Sequence, residues 1–248
     1  MQISHQIHSK NYDLRPESKK PVKYVIFHYT ELNFDDSISR LCSLDAKVSC
    51  HYLIDKSGRV YQLVGDFYRA WHAGNSFWRG EENLNNHSIG IELENLGNEE
   101  FTNEQMNSLL ELCNILRKKY SLFDENFLGH SDIAPSRKID PGIFFPWEKL
   151  QKYNIGIPFS SKPVDDYENL TNDIEWRLIQ KKLKFIGFDI EESGTFDKKT
   201  NDAIRAFKIH FNRFFVKTHE SEILMNLDKN LIWDSISNML LKEISPIF

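Results

Sequence analysis

Hydrophobic residues follow two periods along the chain, and each period predicts a different kind of secondary structure. Four short segments are continuously apolar or alternate between apolar and polar positions, which indicates β-strands. These segments are residues 22–29, 50–55, 59–64 and 88–94. Lys56, Ser57 and Gly58 lie between the second and third segments, and a turn of this composition predicts a β-hairpin.

Helical periodicity is found between and after these strands. Residues 35–44 predict a short helix, and residues 102–120 predict a longer one with a single apolar stripe. Thr102 and Gln105 have the spacing of a capping box, which marks the beginning of the longer helix. Strands that alternate with helices predict an α/β fold, with a mixed central β-sheet flanked by helices.

The pattern changes near residue 158, where the sequence predicts a domain boundary. Residues 157–163 combine Pro and Ser in the manner of a linker. Helical spacing then continues to the end, with Gly187 as a C-cap. The positions that show this helical spacing are Ile174, Leu178, Ile179, Leu183, Phe196, Thr200, Ile204, Phe207, Phe211, Leu227, Leu231, Met239 and Leu240. We predict a larger domain over residues 1–158 and a small all-helical domain over residues 159–248, and we expect a chain cut near residue 160 to fold.

Composition and charge exclude several classes of function. The 248 residues carry a net charge of -5 with a pI near 6.0, so no basic surface indicates nucleic-acid binding. No segment is long and apolar enough to predict a membrane span. The three cysteines, Cys42, Cys50 and Cys113, lack the pattern of a disulfide framework, and we expect buried free thiols.

Two imidazoles and one carboxylate are candidate metal ligands. His28 ends an apolar strand, where a buried imidazole needs a partner. His130 and Asp140 share a segment whose prolines stiffen the backbone and can hold side chains in a fixed arrangement. Such a set, with a fourth position left for water, is that of a catalytic zinc, although iron and manganese accept similar donors. The alternative is a hydrogen-bonded core histidine beside a solvated charged loop.

Glu92 is a candidate general base. It alternates with Ile91 and Leu93 along a predicted strand, so its side chain lies on the opposite face. In a cleft, a desolvated glutamate has a raised pKa and can accept a proton, whereas on an exposed edge strand it only faces solvent. The composition of residues 71–74 and 77–80 predicts a loop, and the aromatic residues beside glycines there can stack on sugar rings or pack in the core.

Six segments combine these residues in one order. They are Phe27-His28-Tyr29-Thr30, Ser49-Cys50-His51-Tyr52, Ala70-Trp71-His72-Ala73-Gly74, Ser88-Ile89-Gly90-Ile91-Glu92-Leu93-Glu94, Gly129-His130-Ser131-Asp132-Ile133-Ala134-Pro135 and Arg137-Lys138-Ile139-Asp140-Pro141-Gly142. Together they resemble the N-acetylmuramoyl-L-alanine amidases of the amidase-2 type, whose fold is shared by the peptidoglycan recognition proteins. The resemblance covers about residues 1–155, and residues 173–211 are similar to a three-helix peptidoglycan-binding domain.

The resemblance implies an activity and a role for each site residue. The activity is zinc-dependent hydrolysis of the amide bond between N-acetylmuramic acid, ordinary or 1,6-anhydro, and L-alanine, with peptidoglycan or muropeptides as substrate. The implied zinc ligands are His28, His130 and Asp140, the catalytic carboxylate is Glu92, and the residue that steadies the transition state is Lys138. Tyr29, Trp71 and His72 are the predicted substrate contacts.

Two other classes of function stay open on the sequence alone, and so does the compartment. A recognition protein that binds without cutting usually lacks one metal ligand, whereas the set here is complete. A zinc peptidase normally carries an HExxH pattern, which the chain lacks. The N-terminal residues contain no apolar segment typical of an export signal, which points to the cytoplasm. A polymer-binding domain points to the bacterial cell envelope, which we favour.

Overall fold

A computed structural model describes residues 1–16, 22–159, 175–212, 216 and 233–244. The strands are β1 (Ile3–Ser4), β2 (Tyr12–Leu14), β3 (Tyr24–Tyr29), β4 (Tyr52–Ile54), β5 (Val60–Gln62), β6 (Tyr68–Ala70), β7 (Phe77–Trp78), β8 (Glu81–Glu82), β9 (Ser88–Leu93) and β10 (Phe127–Gly129). The helices are α1 (Phe34–Cys42), α2 (Asn103–Tyr120), α3 (His130–Ile133), α4 (Trp147–Gln151), α5 (Trp176–Ile186), α6 (Lys198–Phe211) and α7 (Ser235–Ile244).

A mixed sheet forms the centre of the fold, as the sequence predicts. Its strand order is β1-β5-β4-β9-β3-β10, in which β4 and β5 are antiparallel and the other neighbours are parallel. The Lys56-Ser57-Gly58 turn joins β4 and β5 in the predicted hairpin, and Gly58 has a φ of 81°. β9 lies between β4 and β3, so the alternative that Glu92 stands on an exposed edge strand is wrong.

The long helix α2 packs on this sheet through its apolar stripe. Thr102 and Gln105 form the predicted capping box, in which each side chain bonds the backbone N–H of the other residue. Met106, Leu109 and Leu116 are buried in the core beneath the helix. Of the cysteines, Cys50 and Cys113 are buried free thiols, and Cys42 is partly buried.

Several short elements carry no recognisable periodicity. β1, β2, β6 and β10 have two or three residues each, too few for an alternating pattern. Residues 77–82 form the small antiparallel hairpin of β7 and β8, so the prediction of a loop there was wrong. Trp78 within this hairpin is fully buried, which favours the core-packing interpretation for that ring.

The C-terminal part of the described chain is helical, as predicted. α5 ends at the predicted C-cap Gly187, and Ile179 and Leu183 are buried, but Leu178 is 44% exposed and does not share their buried face. Thr200, Ile204, Phe207, Phe211 and Leu240 are buried as the spacing predicts. The predicted positions Ile174, Leu227 and Leu231 lie outside the described residues.

Helix α6 is buried on all sides from Thr200 to Phe211, which is the environment of a core helix. The His210 ring stacks on Trp147 with the centroids 3.6 Å apart, and its Nδ1–H donates to Asp132 Oδ2 over 2.8 Å. Trp78 packs edge-on against Phe188 at 5.3 Å, and Phe159 packs against Phe211 at 5.6 Å. Residues on both sides of the predicted linker therefore share one hydrophobic core.

No helix within the described ranges is both long and apolar enough to cross a membrane.

These contacts predict that a chain ended at residue 159 is markedly less stable than the full chain. The cut removes Phe188 and His210, which pack on Trp78 and Trp147, although Trp147 keeps its contact with Phe145. Full burial of one large apolar side chain contributes about 1.5–3 kcal/mol, so we expect the free energy of unfolding to fall by up to about 3–6 kcal/mol, a large part of a typical domain's stability. Urea unfolding of the two chains measures this difference. Phe185→Ser, on an exposed side chain of α5, is the control, and equal midpoints for cut and full chains would contradict the prediction.

Candidate active site

Strand register gathers the site residues at one edge of the sheet. β3, β9 and β10 run parallel, so their carboxyl ends lie side by side, where α/β folds usually place their ligand sites. His28 on β3 is the register partner of Glu92 on β9. Gly129 on β10 is paired with Phe27, which places His130, the next residue, beside His28. The backbone pairing alone thus makes neighbours of residues that are far apart in sequence.

Three buried side chains converge at this edge. Asp140 Oδ2 lies 2.9 Å from the Nδ1 atoms of both His28 and His130, and the two Nδ1 atoms are 3.0 Å apart. Asp140 is held in place through its backbone carbonyl, which accepts from the N–H of Ser131 over 2.8 Å. The predicted ligand trio is therefore brought together, with one potential donor atom from each residue at a common point.

The chemistry of these atoms fits a cation. The His130 Nε2–H donates to the Ala73 carbonyl over 3.1 Å, so in the neutral ring Nδ1 carries a lone pair. This lone pair faces a carboxylate oxygen, and the two repel unless a positive charge lies between them. Burial lowers the pKa of His28 to about 4, which keeps that ring neutral at pH 7.

Glu92 lies beside this cluster with an incompletely satisfied carboxylate. Among the described residues no hydrogen-bond donor reaches its buried Oε2. Burial raises the pKa of Glu92 to about 8, and the nearby charge of Asp140 acts in the same direction. Glu94, two residues on, accepts instead from the backbone N–H groups of Phe34 and Lys56, which gives it a structural role. The structure thus separates two glutamates that the strand pattern alone presents as equivalent.

A cavity of about 440 Å³ opens over the cluster. Lys138 lines it, and its positive charge acts on Glu92 and His28. Tyr29, which is buried, and Trp71, which is half-buried, also line the cavity.

Arg137 is a cavity residue to which the sequence analysis gave no role. Its guanidinium donates to the carbonyls of Ala73 and Asn75 and so ties two loops together at the rim.

His72 also reaches the cavity, but both of its ring nitrogens bond to the protein. Nδ1 lies 3.0 Å from His28 Nε2, and Nε2 lies 3.2 Å from Ser88 Oγ. The sequence analysis missed Ser88, although a signal was present. Ser88, Gly90 and Glu92 occupy alternate positions of β9 and therefore share the face that carries the site.

Comparison with known proteins identifies the family. The sequence model of the family described as N-acetylmuramoyl-L-alanine amidase matches residues 18–143, about half of the chain. The chain belongs to this amidase family. A second model, described as a putative peptidoglycan binding domain, matches residues 172–213.

Two curated relatives match this amidase over more than half of its length. It is 34% identical to the N-acetylmuramoyl-L-alanine amidase AmiD of Escherichia coli over 209 residues, which cover 77% of this chain and 75% of that protein. It is 38% identical to the 1,6-anhydro-N-acetylmuramyl-L-alanine amidase AmpD of Haemophilus influenzae over 165 residues, which cover 58% of this chain and 88% of that protein.

Solved structures show the same fold for the amidase over nearly its whole length. The complex of Escherichia coli AmiD with the substrate anhydro-N-acetylmuramic acid-L-Ala-D-γ-Glu-L-Lys aligns with a TM-score of 0.74 and 28% identity. That alignment covers 94% of this chain and 93% of AmiD. AmpDH3 of Pseudomonas aeruginosa aligns with a TM-score of 0.75 and 26% identity, over 99% of both chains. The predicted α/β fold with its helical C-terminal part is confirmed.

The raised pKa of Glu92 predicts a pH-dependent stability difference in metal-free protein. Between its ordinary value of 4.5 and about 8, this carboxyl is ionised in the unfolded chain but protonated in the folded one. Wild type therefore loses stability as pH rises through this window, whereas Glu92→Gln has no group there to titrate. We expect the stability advantage of Glu92→Gln to grow from pH 5 to pH 8.

Urea unfolding in the presence of a chelator, at a series of pH values, measures this difference. Glu82→Gln, on an exposed side chain, is the control and should show no such trend. A constant difference between Glu92→Gln and wild type across the series would contradict the assignment of a raised pKa.

Proposed function

We propose that this amidase uses zinc to hydrolyse the amide bond between N-acetylmuramic acid and L-alanine in peptidoglycan or its fragments. The observation that carries the proposal is the convergence of His28, His130 and Asp140 beside Glu92, whose Oε2 atom is buried. AmiD and AmpD, which are named for this bond type, support the substrate class.

His28, His130 and Asp140 would hold the metal. Neutral imidazole nitrogens and a carboxylate oxygen form a donor set that zinc accepts in catalytic sites. Zinc bound by such a set supplies Lewis acidity, which polarises a carbonyl group and makes water nucleophilic at neutral pH. Burial of all three side chains keeps bulk water from competing for the ligand atoms.

Glu92 is the residue that we assign to proton transfer. As a carboxylate it would take a proton from the attacking water, and as a carboxylic acid it would deliver that proton to the departing alanine nitrogen. Both steps require a carboxyl group whose pKa lies near neutral pH, and burial moves the pKa of Glu92 in that direction.

Lys138 carries the positive charge that the carbonyl oxygen needs as it becomes negative. Its side chain lines the same cavity as Glu92 and Asp140. A fixed cation near a developing oxyanion stabilises the transition state more than the ground state, and such contacts typically contribute about 3–4 kcal/mol.

The proposal covers both chemical forms of the muramic acid, since AmiD is named for the ordinary sugar and AmpD for the 1,6-anhydro sugar. The cavity must therefore be tested with both forms.

Cleavage of one defined muropeptide tests the function. We expect wild type to bind about one equivalent of zinc per chain and to release intact peptide beginning with L-alanine, which mass spectrometry identifies. Asp140→Ala should lose both zinc and turnover, because one of three ligands is removed. His5→Ala, on an exposed histidine outside the site, is the matched control. A product cut within the peptide, or full activity after chelation, would overturn the proposal.

Replacement of Glu92 by Gln separates proton transfer from metal binding. We expect the zinc content to remain that of wild type, because Glu92 is not one of the three converging residues. Turnover should fall by about two to four decades, the usual contribution of a general acid–base group. Single-turnover rates with metal-loaded protein measure this loss. A rate within a few-fold of wild type would show that Glu92 does not carry the proton.

A further inference from the structure

His28 has a second hydrogen-bonding nitrogen, and it begins a chain of contacts that leads away from the ligand cluster. His28 Nε2 lies 3.0 Å from His72 Nδ1. His72 Nε2 lies 3.2 Å from Ser88 Oγ, which in turn lies 2.6 Å from the Leu84 carbonyl oxygen. The chain ends at this carbonyl, a group that can only accept a hydrogen bond.

This fixed end determines the direction of every bond in the chain. Ser88 must donate to Leu84, so its oxygen accepts from the Nε2–H of His72. A neutral His72 with its proton on Nε2 has a lone pair on Nδ1, which accepts from the Nε2–H of His28. His28 is then left with a lone pair on Nδ1, the atom that faces His130 and Asp140.

The surrounding backbone is shaped to hold His72 in this place. The Asn85 side-chain oxygen accepts from the N–H groups of both His72 and Ala73, over 3.0 and 2.7 Å. Gly90 lies directly against the imidazole, and a Cβ atom there would stand 2.4 Å from His72 Cγ. Only glycine therefore allows the ring to pack so closely on β9.

The same segment also serves the second histidine of the cluster. The Ala73 carbonyl accepts from His130 Nε2–H over 3.1 Å, which leaves the lone pair of His130 on Nδ1. His72 and Ala73, both held by the Asn85 side chain, thus contact the Nε2 atoms of His28 and His130.

We propose that His72 is a positioning residue for the metal site, which accepts the Nε2–H of His28 and so holds the His28 Nδ1 lone pair toward His130 and Asp140. The inference rests on the proposed function, because it gives the cluster a metal to bind. It differs from the prediction that His72 contacts substrate, since both of its ring nitrogens are engaged within the protein. Outer partners of this kind orient a histidine ligand and fix its tautomer.

Nitrogen-15 NMR of metal-free, histidine-labelled protein tests the tautomer without any zinc or substrate. His28 signals are assigned by their loss in His28→Ala. We expect the Nε2–H form of His28 in wild type and a mixture of tautomers in Ser88→Ala, which removes the acceptor of His72 but touches no ligand. An Nδ1–H form in wild type, or an unchanged tautomer in both Ser88→Ala and His72→Leu, would overturn the inference.

Zinc affinity, measured by competition with a chelator, tests the consequence. We expect His72→Leu to bind zinc about 10- to 100-fold more weakly than wild type. His72→Asn should recover most of this loss, because its side-chain oxygen can accept from His28 near the former Nδ1 position. Ser88→Ala provides the same comparison if His72→Leu does not fold, with a smaller expected loss.

The outcomes separate this inference from the proposed function. Normal zinc affinity in His72→Leu with only a raised KM would assign His72 to substrate binding and overturn the positioning role alone. Failure of wild type to bind zinc would overturn the proposed function and, with it, the role of His72.

Discussion

Two imidazole lone pairs and a carboxylate oxygen within 3.0 Å of one another repel, and much of the structure around them serves to hold that arrangement. Each imidazole is oriented by a hydrogen bond at its Nε2 atom, with the Ala73 carbonyl for His130 and with the His72 ring for His28. Asp140 is fixed by a backbone bond to Ser131. The protein thus maintains a local arrangement that favours a bound cation, with hydrogen bonds that do not themselves involve the ligand atoms.

The sheet brings the site residues together, and these hydrogen bonds then set the orientation of their side chains. Parallel pairing of β3 with β9 and β10 brings His28, Glu92 and His130 to one edge. A register shift of one residue on β9 would turn Glu92 to the opposite face and replace it with an isoleucine or leucine. The buried apolar face of β9, with Ile89, Ile91 and Leu93 fully buried, prevents such a shift. The position of the carboxylate is therefore a consequence of core packing.

Sequence patterns predicted the parts of this arrangement that depend on local periodicity. The alternation of residues 88–94, the capping box at Thr102 and the C-cap at Gly187 each depend on neighbours within a few positions, and each was confirmed. β10 was not predicted, because three residues show no period, although it positions His130. The hydrogen bond from His28 to His72 joins residues 44 positions apart, and no local sequence pattern predicts such a contact. The ligand, catalytic and substrate roles of single residues, the domain boundary and the cellular compartment stay predictions.

The contact of α6 with α3 changes how the two parts of the chain must be regarded. Asp132 Oδ2 accepts from the Gly129 N–H and from the His210 Nδ1–H, and Asp132 lies two residues from His130. A helix from the region matched as a putative peptidoglycan binding domain therefore bonds to the short helix α3 that presents a candidate ligand. Loss of His210 would leave a buried carboxylate short of a partner, which is costly in a low-dielectric interior. The described helical part is thus packed, through buried contacts, against the part of the chain that carries the candidate site.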